Sequence, residues 1–502
     1  MAHEERRQPD PVSPGGRSTS TTRHQIAELL RLKDNKERLI SFWDQFNRKG
    51  REKVGVLKSL RNLALCSWLN IFLILIPLSW LAHFEQEKSA WGHQIVFIIS
   101  LFAIIPLEHS FEYGGDQMRC YLGKDLGDIV VITLNNAVEA TLGVILLVKC
   151  ELILLKSTII GVVILHLLLI PGVSFAMGGA RIIQQDLHPH LTQLNHSMLT
   201  IGVLSLLLPF AFFTAVNSSF HPAGADLVSP INDAVRDKIL DLSRGLAVLL
   251  LIVYICSRIY LHNPPGDELL LLYAAPNAPA ALKQEAEKYK EKDPELNQWV
   301  CIIMLLVSLG LMATTAEWLV KSIEPVRENG DISEIWFGLI LLPLVSFAAD
   351  GVLAVGFFVR RLLRHFFKEP VPPTTLAHAE AIDLSIQFIL FWMPLYVLIG
   401  WGTGKPLTLL FDMFEVALLI GSCFLVNYVT ADSKTNWAEG SVLVIFYVMI
   451  GLCAWYYEGQ AEVSVMSTCG TVAAAITSFI GNGGGDMSGV PGVAHLTHGA
   501  HH

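Results

Sequence analysis

The sequence has few charged residues for its length. Only 16% of its 502 residues are Asp, Glu, Lys or Arg, whereas 52% are hydrophobic. Soluble globular chains carry about 25% charged residues, so this composition excludes an ordinary soluble enzyme and predicts a polytopic membrane protein. The net charge of -9 and the lack of a dense basic patch argue against nucleic acid as a partner, because that interface needs clustered positive charge.

Motifs of metal, redox and enzymatic sites are also lacking. The eight cysteines are scattered, with no C-x-x-C pair and no metal-ligand spacing, so we predict small buried hydrophobic side chains. No apolar h-region opens the sequence, and we expect insertion to start at the first spanning helix rather than at a cleaved signal. We find no H-E-x-x-H or similar motif and no paired nucleophile and base, so we predict neither enzymatic activity nor a bound cofactor.

What the sequence does contain is a series of long apolar runs. Their length and apolarity predict about eleven transmembrane helices, at 62–82, 91–109, 127–149, 156–178, 196–217, 241–261, 298–320, 334–359, 379–401, 409–429 and 440–457. Basic residues concentrate in connections that fall on one side, which we predict to be cytosolic: Arg119 with Lys124, Arg181, the segment 263–297, and Arg360, Arg361, Arg364 with Lys368.

The longest internal connection, 263–297, lies between spans six and seven and separates two sets of five spans. Because an odd number of crossings inverts the orientation of the second set, we predict inverted repeats. The predicted fold is an all-α polytopic membrane protein with one extra helix plus two inverted five-helix repeats. Its predicted regions are a cytosolic N-terminal region 1–57, a first helix and loop 58–90, repeat 1 at 91–262, the linker 263–297, repeat 2 at 298–458, and a Gly- and His-containing tail 459–502. Within the tail, VSVMSTCGTVAAAITSFI fits either a peripheral helix or a disordered segment.

Two of the apolar runs carry an acidic residue in their interior in a matching pattern. Glu139 lies three residues after Asn136 in the run 132–148, which places both on one face of a continuous helix. Asp350 follows Phe347 at the same spacing in the run 341–359. A carboxylate at the bilayer centre costs about 2.5 to 3.5 kcal/mol on insertion scales, so it normally faces a partner, a cavity or an ion. We therefore predict that Glu139 and Asp350 are functional, with a helix-packing role as the alternative.

Several longer blocks resemble a known family. They are GLILLPLVSFAAD at 338–350, the block 401–440 beginning WGTGKPLTLLFD, ATTAEWLVKSIE at 313–324, and IISLFAIIPL at 98–107. On these blocks the sequence, from about Trp68 to Tyr457, resembles the calcium/proton exchanger family of the calcium:cation antiporter superfamily, in its fungal branch. The resemblance implies that each repeat has a G-N-A-x-E helix facing the ion path, followed by a helix whose small and polar residues complete the site.

The two acidic motifs match this pattern unequally. The first reads Asn135-Asn136-Ala137-Val138-Glu139 and keeps the Asn and the Glu. The second runs from Ser346 to Asp350, with Phe347 in place of the Asn and an Asp in place of the Glu. The resemblance therefore implies an intact first half-site and a second half-site that has lost a ligand.

The partner helices depart from the family pattern as well. The segment 165–169, LHLLL, stands in place of S-N-L-L-L, and 383–387, DLSIQ, in place of G-S-S-I-Q, so that Ser385 and Gln387 are kept. His166 and Asp383 are ionisable where the family has neutral residues. His166 fits a proton relay or a neutral core histidine bonded to a carbonyl, and Asp383 fits a site modifier or a first-turn acid. Glu317 fits a carboxylate at the mouth of the path or a solvated helix-end charge.

The resemblance implies a secondary antiporter that moves cytosolic calcium into an acidic organelle, in the vacuolar membrane or another acidic endomembrane, in exchange for protons. Its partners would be calcium ions, protons and membrane lipid, and the sequence leaves homo-oligomerisation open. The altered second motif keeps two alternatives: an exchanger of relaxed selectivity for monovalent cations or Mn²⁺, and a non-transporting regulatory relative. The expected ion ligands offer the hard oxygen chemistry that calcium prefers, with a histidine as modifier: Glu139, Asp350, Asn136, Ser385, Gln387 and His166.

Overall fold

The structure is a computed structural model that describes residues 42–44, 46–47, 54–85, 92–122, 124–179, 185–187, 189–219, 232–262, 293–344 and 380–481. Within these residues the chain is almost entirely helical. The second half of predicted span eight, including Phe347 and Asp350, lies outside the described residues.

The described helices of the first half contain the first extra helix and the first predicted repeat. They are α1 (Val56–Leu65), a 3₁₀ segment (Trp68–Ile74), α2 (Leu75–Glu85), α3 (His93–Leu122), α4 (Lys124–Asn135), α5 (Ala137–Lys149), α6 (Leu152–Ile164), a π turn (Leu165–Leu169), α7 (Ile170–Gly179), α8 (Pro189–Ser219) and α9 (Asp233–His262).

The helices of the second half follow a similar order. They are α10 (Gln298–Gly330), α11 (Glu334–Trp336), a π turn (Phe337–Leu341), α12 (Glu380–Gln387), a π turn (Phe388–Trp392), α13 (Met393–Thr403), α14 (Met413–Val429), α15 (Trp437–Trp455), α16 (Ala461–Met466) and α17 (Val472–Gly481). Two short strands, β1 (Gln185–Asp186) and β2 (Lys434–Thr435), pair antiparallel and join the loop after α7 to the loop before α15.

The predicted spans recur as helices of membrane-crossing character. Among the described residues eight helices are long and apolar enough to cross a membrane, and a ninth span is a pair bent by 56°. Two shorter apolar helices, Glu334–Leu344 and Met413–Val429, occupy the places of predicted spans eight and ten. The fold class of an all-α polytopic membrane protein is therefore confirmed, and these helices are consistent with about eleven spans.

The run that contains Asn136 and Glu139 is not one continuous helix, as the sequence had suggested. The chain bends between α4 and α5, and Asn136 stands at the break with φ -99° and ψ 9°. Glu139 thus lies in the first turn of α5 instead of mid-helix. The break interrupts the backbone hydrogen bonding that a continuous helix would have between α4 and α5. Membranes tolerate such an interruption only inside protein or beside a cavity.

Three π turns share one sequence feature: each ends two residues before a proline. The prolines are Pro171, Pro343 and Pro394. A proline lacks the backbone N–H, and its ring clashes with the carbonyl four residues earlier, so the local helix widens and frees carbonyls. Pro106, Pro209 and Pro325 lie in uninterrupted helix, so proline alone is not sufficient.

Helix α6 and the π turn Phe337–Leu341 pack with their backbones in close contact. A Cβ added at Gly161 of α6 would overlap the Leu339 carbonyl and lie 2.7 Å from the ring of Pro343. A Cβ at Gly338 would lie 2.8 Å from the Ser157 side chain. The first-half helix α6 and the π turn of the second half therefore pack through glycine, as tightly packed membrane helices do.

The C-terminal segment 460–481 contains two helices and packs on the helical body. Of the two alternatives predicted for VSVMSTCGTVAAAITSFI, this agrees with the peripheral helix. Three hydrogen bonds join it to the start of α9: the Arg236 guanidinium donates to the carbonyls of Gly470 at 2.7 Å and Thr468 at 3.4 Å, and the Val472 amide donates to Asp233 at 3.1 Å. Apolar side chains of α16 and α17 also form a buried cluster with α8, α9 and the loop before α14: Phe213, Val235, Ile239, Leu410, Val465, Met466, Val472 and Ile476.

A disulfide joins Cys150, at the end of α5, to Cys469 in this segment. The prediction that all eight cysteines are small buried hydrophobes is therefore wrong, and Cys256 and Cys453 are exposed besides. Spacing alone did not reveal a pair separated by 319 residues. The predicted orientation places both cysteines on the non-cytosolic side, where oxidising compartments allow such bonds to form.

Candidate ion-binding site

The helix break brings polar groups into the interior. Asn136 has 0% and Glu139 3% of its surface exposed. The amide Nδ2 of Asn136 points toward acceptors, and its Oδ1 is buried without a hydrogen-bond donor among the described residues. The Oδ1 of the neighbouring Asn135 is buried in the same way. Amide and carboxylate oxygens are the ligands that calcium prefers, so the chemistry of these buried side chains fits a hard cation.

A hydrogen bond joins this break to the second half of the chain. Asn136 Nδ2 donates to Gln387 Oε1 at 2.7 Å and approaches the Leu384 carbonyl at 3.4 Å. Gln387 Nε2 in turn donates to the Thr133 hydroxyl at 3.0 Å. The structure therefore brings Asn136 and Gln387, which we had predicted as ligands from opposite repeats, into direct contact.

Ser385 and Tyr396 complete the contact between the halves. The buried Ser385 hydroxyl lies 3.4 Å from the Val163 carbonyl in α6 and 3.3 Å from the Ala381 carbonyl. The Tyr396 hydroxyl approaches the backbone carbonyls of Glu139 and Ala140 at 3.4 and 3.3 Å. Tyr396 thus fixes the first turn of α5, on which the Glu139 carboxylate is mounted.

Thr133 and Tyr396 were not predicted from the sequence as members of this contact. A signal for Tyr396 was nevertheless present, because Gly143 follows Glu139 by four residues, on the same face of α5. A Cβ at Gly143 would lie 2.6 Å from the Tyr396 hydroxyl, and a glycine on that face leaves room for a neighbour.

His166 lies in the π turn Leu165–Leu169 and is 4% exposed. Its Nδ1 lies 2.8 Å from the Val162 carbonyl, one turn earlier in the same helix. This contact favours the core histidine bonded to a carbonyl over the proton relay. A role of His166 as modifier of the ion site stays a prediction.

Asp383 pairs with a basic residue of the first half. The guanidinium of Arg258 in α9 donates to the two carboxylate oxygens at 2.8 and 3.2 Å. Glu317, by contrast, is exposed and lies 3.1 Å from both Lys149 and Lys321. Glu317 is therefore engaged in exposed ion pairs, which fits the solvated alternative, but it does not lie at a helix end, because α10 continues to Gly330.

A second buried polar cluster lies toward the C-terminal segment. Lys156, 2% exposed, donates to Thr408, to the Leu410 carbonyl and to Ser467 at 2.8 to 3.0 Å. The neighbouring Ser157 hydroxyl donates to Glu415 at the start of α14. This cluster was not predicted, although Lys156 inside an apolar run was a visible signal in the sequence.

Asp412 caps α14 beside that cluster. It accepts hydrogen bonds from the Phe414 amide at 2.8 Å, the Tyr457 hydroxyl at 2.7 Å and the Gln460 amide at 2.8 Å. Burial, together with the bond to Asp412, raises the pKa of Tyr457 above its ordinary value. The phenol therefore stays a donor, and it ties the segment after α15 to the start of α14.

The described part of the chain holds no group of three His, Cys, Asp or Glu side chains that could bind a metal by themselves. The candidate site instead combines Glu139 with the amides of Asn136 and Gln387 and the hydroxyl of Ser385. Asp350, the remaining predicted ligand, lies outside the described residues.

Comparison with known proteins gives the family. A profile of the family described as "Sodium/calcium exchanger protein" matches residues 92–261 and 300–456. The chain belongs to this exchanger family. The resemblance stated from the sequence blocks is thereby confirmed, and the two matched segments flank the connection that separates the predicted repeats.

Relatives of this exchanger cover most of its length. It is 30% identical over 405 residues to the "Vacuolar calcium ion transporter" of Schizosaccharomyces pombe, covering 80% of this chain and 88% of the relative. It is 29% identical to the protein of the same name from Cryptococcus neoformans, over 81% of this chain and 77% of the relative. It is also 28% identical to the "Ca(2+)/H(+) antiporter" of Aphanothece halophytica, over 78% and 97%.

A solved structure shares the fold of this exchanger. The structure titled "Structure of native YfkE" aligns with a TM-score of 0.55 at 20% identity, covering 77% of this chain and 100% of that chain. The arrangement of helices described above is therefore one that a solved structure also has.

Proposed function

We propose that this exchanger moves cytosolic calcium across the vacuolar membrane in exchange for protons. One observation carries the proposal: Asn136, at the break beside the buried Glu139, is bonded to Gln387 from the other half of the chain. A site shared between two halves can be exposed to either side as the halves move against each other. The relatives named as vacuolar calcium transporters and as a Ca²⁺/H⁺ antiporter support the same activity.

The coupling of calcium to protons follows from the chemistry of a buried carboxylate. An ionised carboxylate in a water-poor interior is costly without a counter-charge. Either a divalent cation or a proton can supply that charge, so the two compete for Glu139. We propose that Asn136, Ser385 and Gln387 provide neutral oxygens for the cation, and that Asp350 provides the second carboxylate.

The test uses purified protein in liposomes with an acidic interior. We expect calcium uptake that stops when an ionophore collapses the proton gradient. Glu139→Gln should abolish uptake, whereas Glu328→Gln, which alters an exposed carboxylate near the end of α10, should leave it unchanged. Full uptake by Glu139→Gln would refute the assignment.

Competition in the same liposomes examines cation preference. Sodium, potassium or manganese in excess is added outside while calcium uptake is followed. We expect calcium uptake to persist. Strong competition by one of these ions would instead assign the chain to exchange of relaxed selectivity, the alternative raised by Phe347 and Asp350.

A further inference from the structure

Asp383, the acidic member of the pair with Arg258, sits on the helix that carries the candidate ligands Ser385 and Gln387. Asp383 lies one helical turn before Gln387, about 6 Å along the axis, and two residues before Ser385. Arg258, 8% exposed, approaches from α9 and binds both carboxylate oxygens. Such a bidentate contact fixes the orientation of both side chains more firmly than a single hydrogen bond does.

Tyr254 packs between Arg258 and the helical segment that follows Gln387. Its ring lies beneath Arg258, with 4.9 Å between the guanidinium carbon and the ring centroid. The same ring packs against Phe391, with 5.4 Å between the ring centroids, in the π turn that follows Gln387. Arg258 therefore holds α12 through Asp383, and the last residue of that helix, Gln387, bonds to Asn136.

Packing alone gives little reason for such a pair in a membrane protein. Charges within the membrane are costly, and apolar side chains of similar volume often replace buried ion pairs without loss of stability. Placed beside a cation path, however, each member has a distinct electrostatic effect. Arg258 alone would repel a divalent cation, and Asp383 alone would attract it.

We propose that Arg258 and Asp383 determine calcium affinity: as a neutral pair they position Gln387 and cancel each other's charge at the cytosol-facing approach to the site. The inference rests on the proposed calcium/proton exchange. The predicted orientation supports the location, because α9 ends and α12 begins on the side predicted to be cytosolic. Arg258 and Asp383 act as positioning and charge-balancing residues, not as ligands.

The test measures the Kd for calcium by titration of the purified protein, and KM and kcat by uptake into liposomes. Asp383→Asn leaves Arg258 uncompensated and should raise Kd and KM about tenfold. Arg258→Gln leaves Asp383 uncompensated and should lower Kd about fivefold, with slower release and a lower kcat. The double variant should return Kd to within about twofold of the wild type, since both charges are removed.

Matched controls come from the same helix. Arg244 and Asp241 form an ion pair of the same residue types near the other end of α9, with 2.7 Å between Nη1 and Oδ1. Asp241→Asn and Arg244→Gln should leave Kd unchanged. Arg258→Lys keeps the positive charge but loses the bidentate hydrogen bonding of the guanidinium. This variant should therefore retain a Kd near the wild-type value but unfold at a lower temperature.

The signs of the effects decide the inference. If Asp383→Asn and Arg258→Gln both raise Kd, the pair is structural and the proposal is overturned. A shift of Kd in Arg258→Lys equal to that in Arg258→Gln would also overturn it. If the wild type neither binds nor transports calcium, the proposed function itself fails. Wild-type transport with shifts of one sign defeats only this inference.

Discussion

Asn136 donates a hydrogen bond from its side-chain amide to the side-chain oxygen of Gln387, 2.7 Å away and 251 residues later in the sequence. The donor stands at a helix break in the first half, and the acceptor ends α12 in the second. This bond is a direct link between the two halves at the candidate ion site, and it is the contact that a bound cation would have to accommodate.

We expect Asn136→Ala and Gln387→Ala each to raise the KM for calcium uptake about tenfold. Each leaves a buried polar partner without its hydrogen bond, at a cost of about 1 to 3 kcal/mol. Because the residues are in contact, the double variant should show less than the sum of the two losses, with a coupling of about 1 kcal/mol. Asn427→Ala removes a peripheral amide that donates to Thr200 and is the control. Strictly additive losses would contradict the link.

Gly161→Ala should destabilise the protein by about 1 to 3 kcal/mol, the typical cost of overpacking. Its methyl group would overlap the Leu339 carbonyl, a backbone atom of the π turn that packs against α6. Gly310→Ala is the matched control, because a Cβ there meets nothing within 4 Å, so it should be neutral or slightly stabilising. Thermal unfolding in detergent measures both, and equal melting temperatures would refute the close contact.

The positions of the helices followed from the sequence because lipid demands long apolar runs with satisfied backbones. The irregularities within the helices did not follow from it, since a break at Asn136 depends on the hydrogen-bond partners that the other half of the chain supplies. The π turns had a signal in Pro171 and Pro343, but Pro106 shows that the same residue can sit in regular helix. Tertiary packing decides between the two.

The candidate site was predictable in part for a similar physical reason. A carboxylate such as Glu139 is costly in lipid, which marks it as functional without any knowledge of its neighbours. The partner of Asn136 follows from how α4 packs on α12, and no spacing in the sequence reveals that register. The pairing of Asp383 with Arg258 was missed for the same reason. In addition, Arg258 lies near a helix end, where basic residues are common and do not stand out.

The Cys150–Cys469 disulfide should be visible by counting thiols. Denatured, unreduced protein should react with a maleimide polymer at six of its eight cysteines, and reduced protein at all eight. Cys150→Ser should free Cys469 and add one reactive thiol in unreduced protein. Cys453→Ser, which removes an exposed free cysteine, should instead subtract one. Eight reactive thiols in unreduced wild type prepared from intact vacuolar membranes would contradict the bond.

Lys156→Met should loosen the C-terminal segment from the helical body. The methionine matches the length of the lysine but donates no hydrogen bond, so the Leu410 carbonyl loses its Lys156 donor and Ser467 loses its link to α6. We expect a loss of about 1 to 3 kcal/mol, the cost of an unsatisfied buried group. Lys149→Met is the control, because Lys149 forms an exposed pair with Glu317 of the kind worth about 0 to 1 kcal/mol. Thermal unfolding compares the two, and protease cleavage within 460–481 should become faster only in Lys156→Met. If both variants melt alike and resist the protease equally, Lys156 does not anchor the segment.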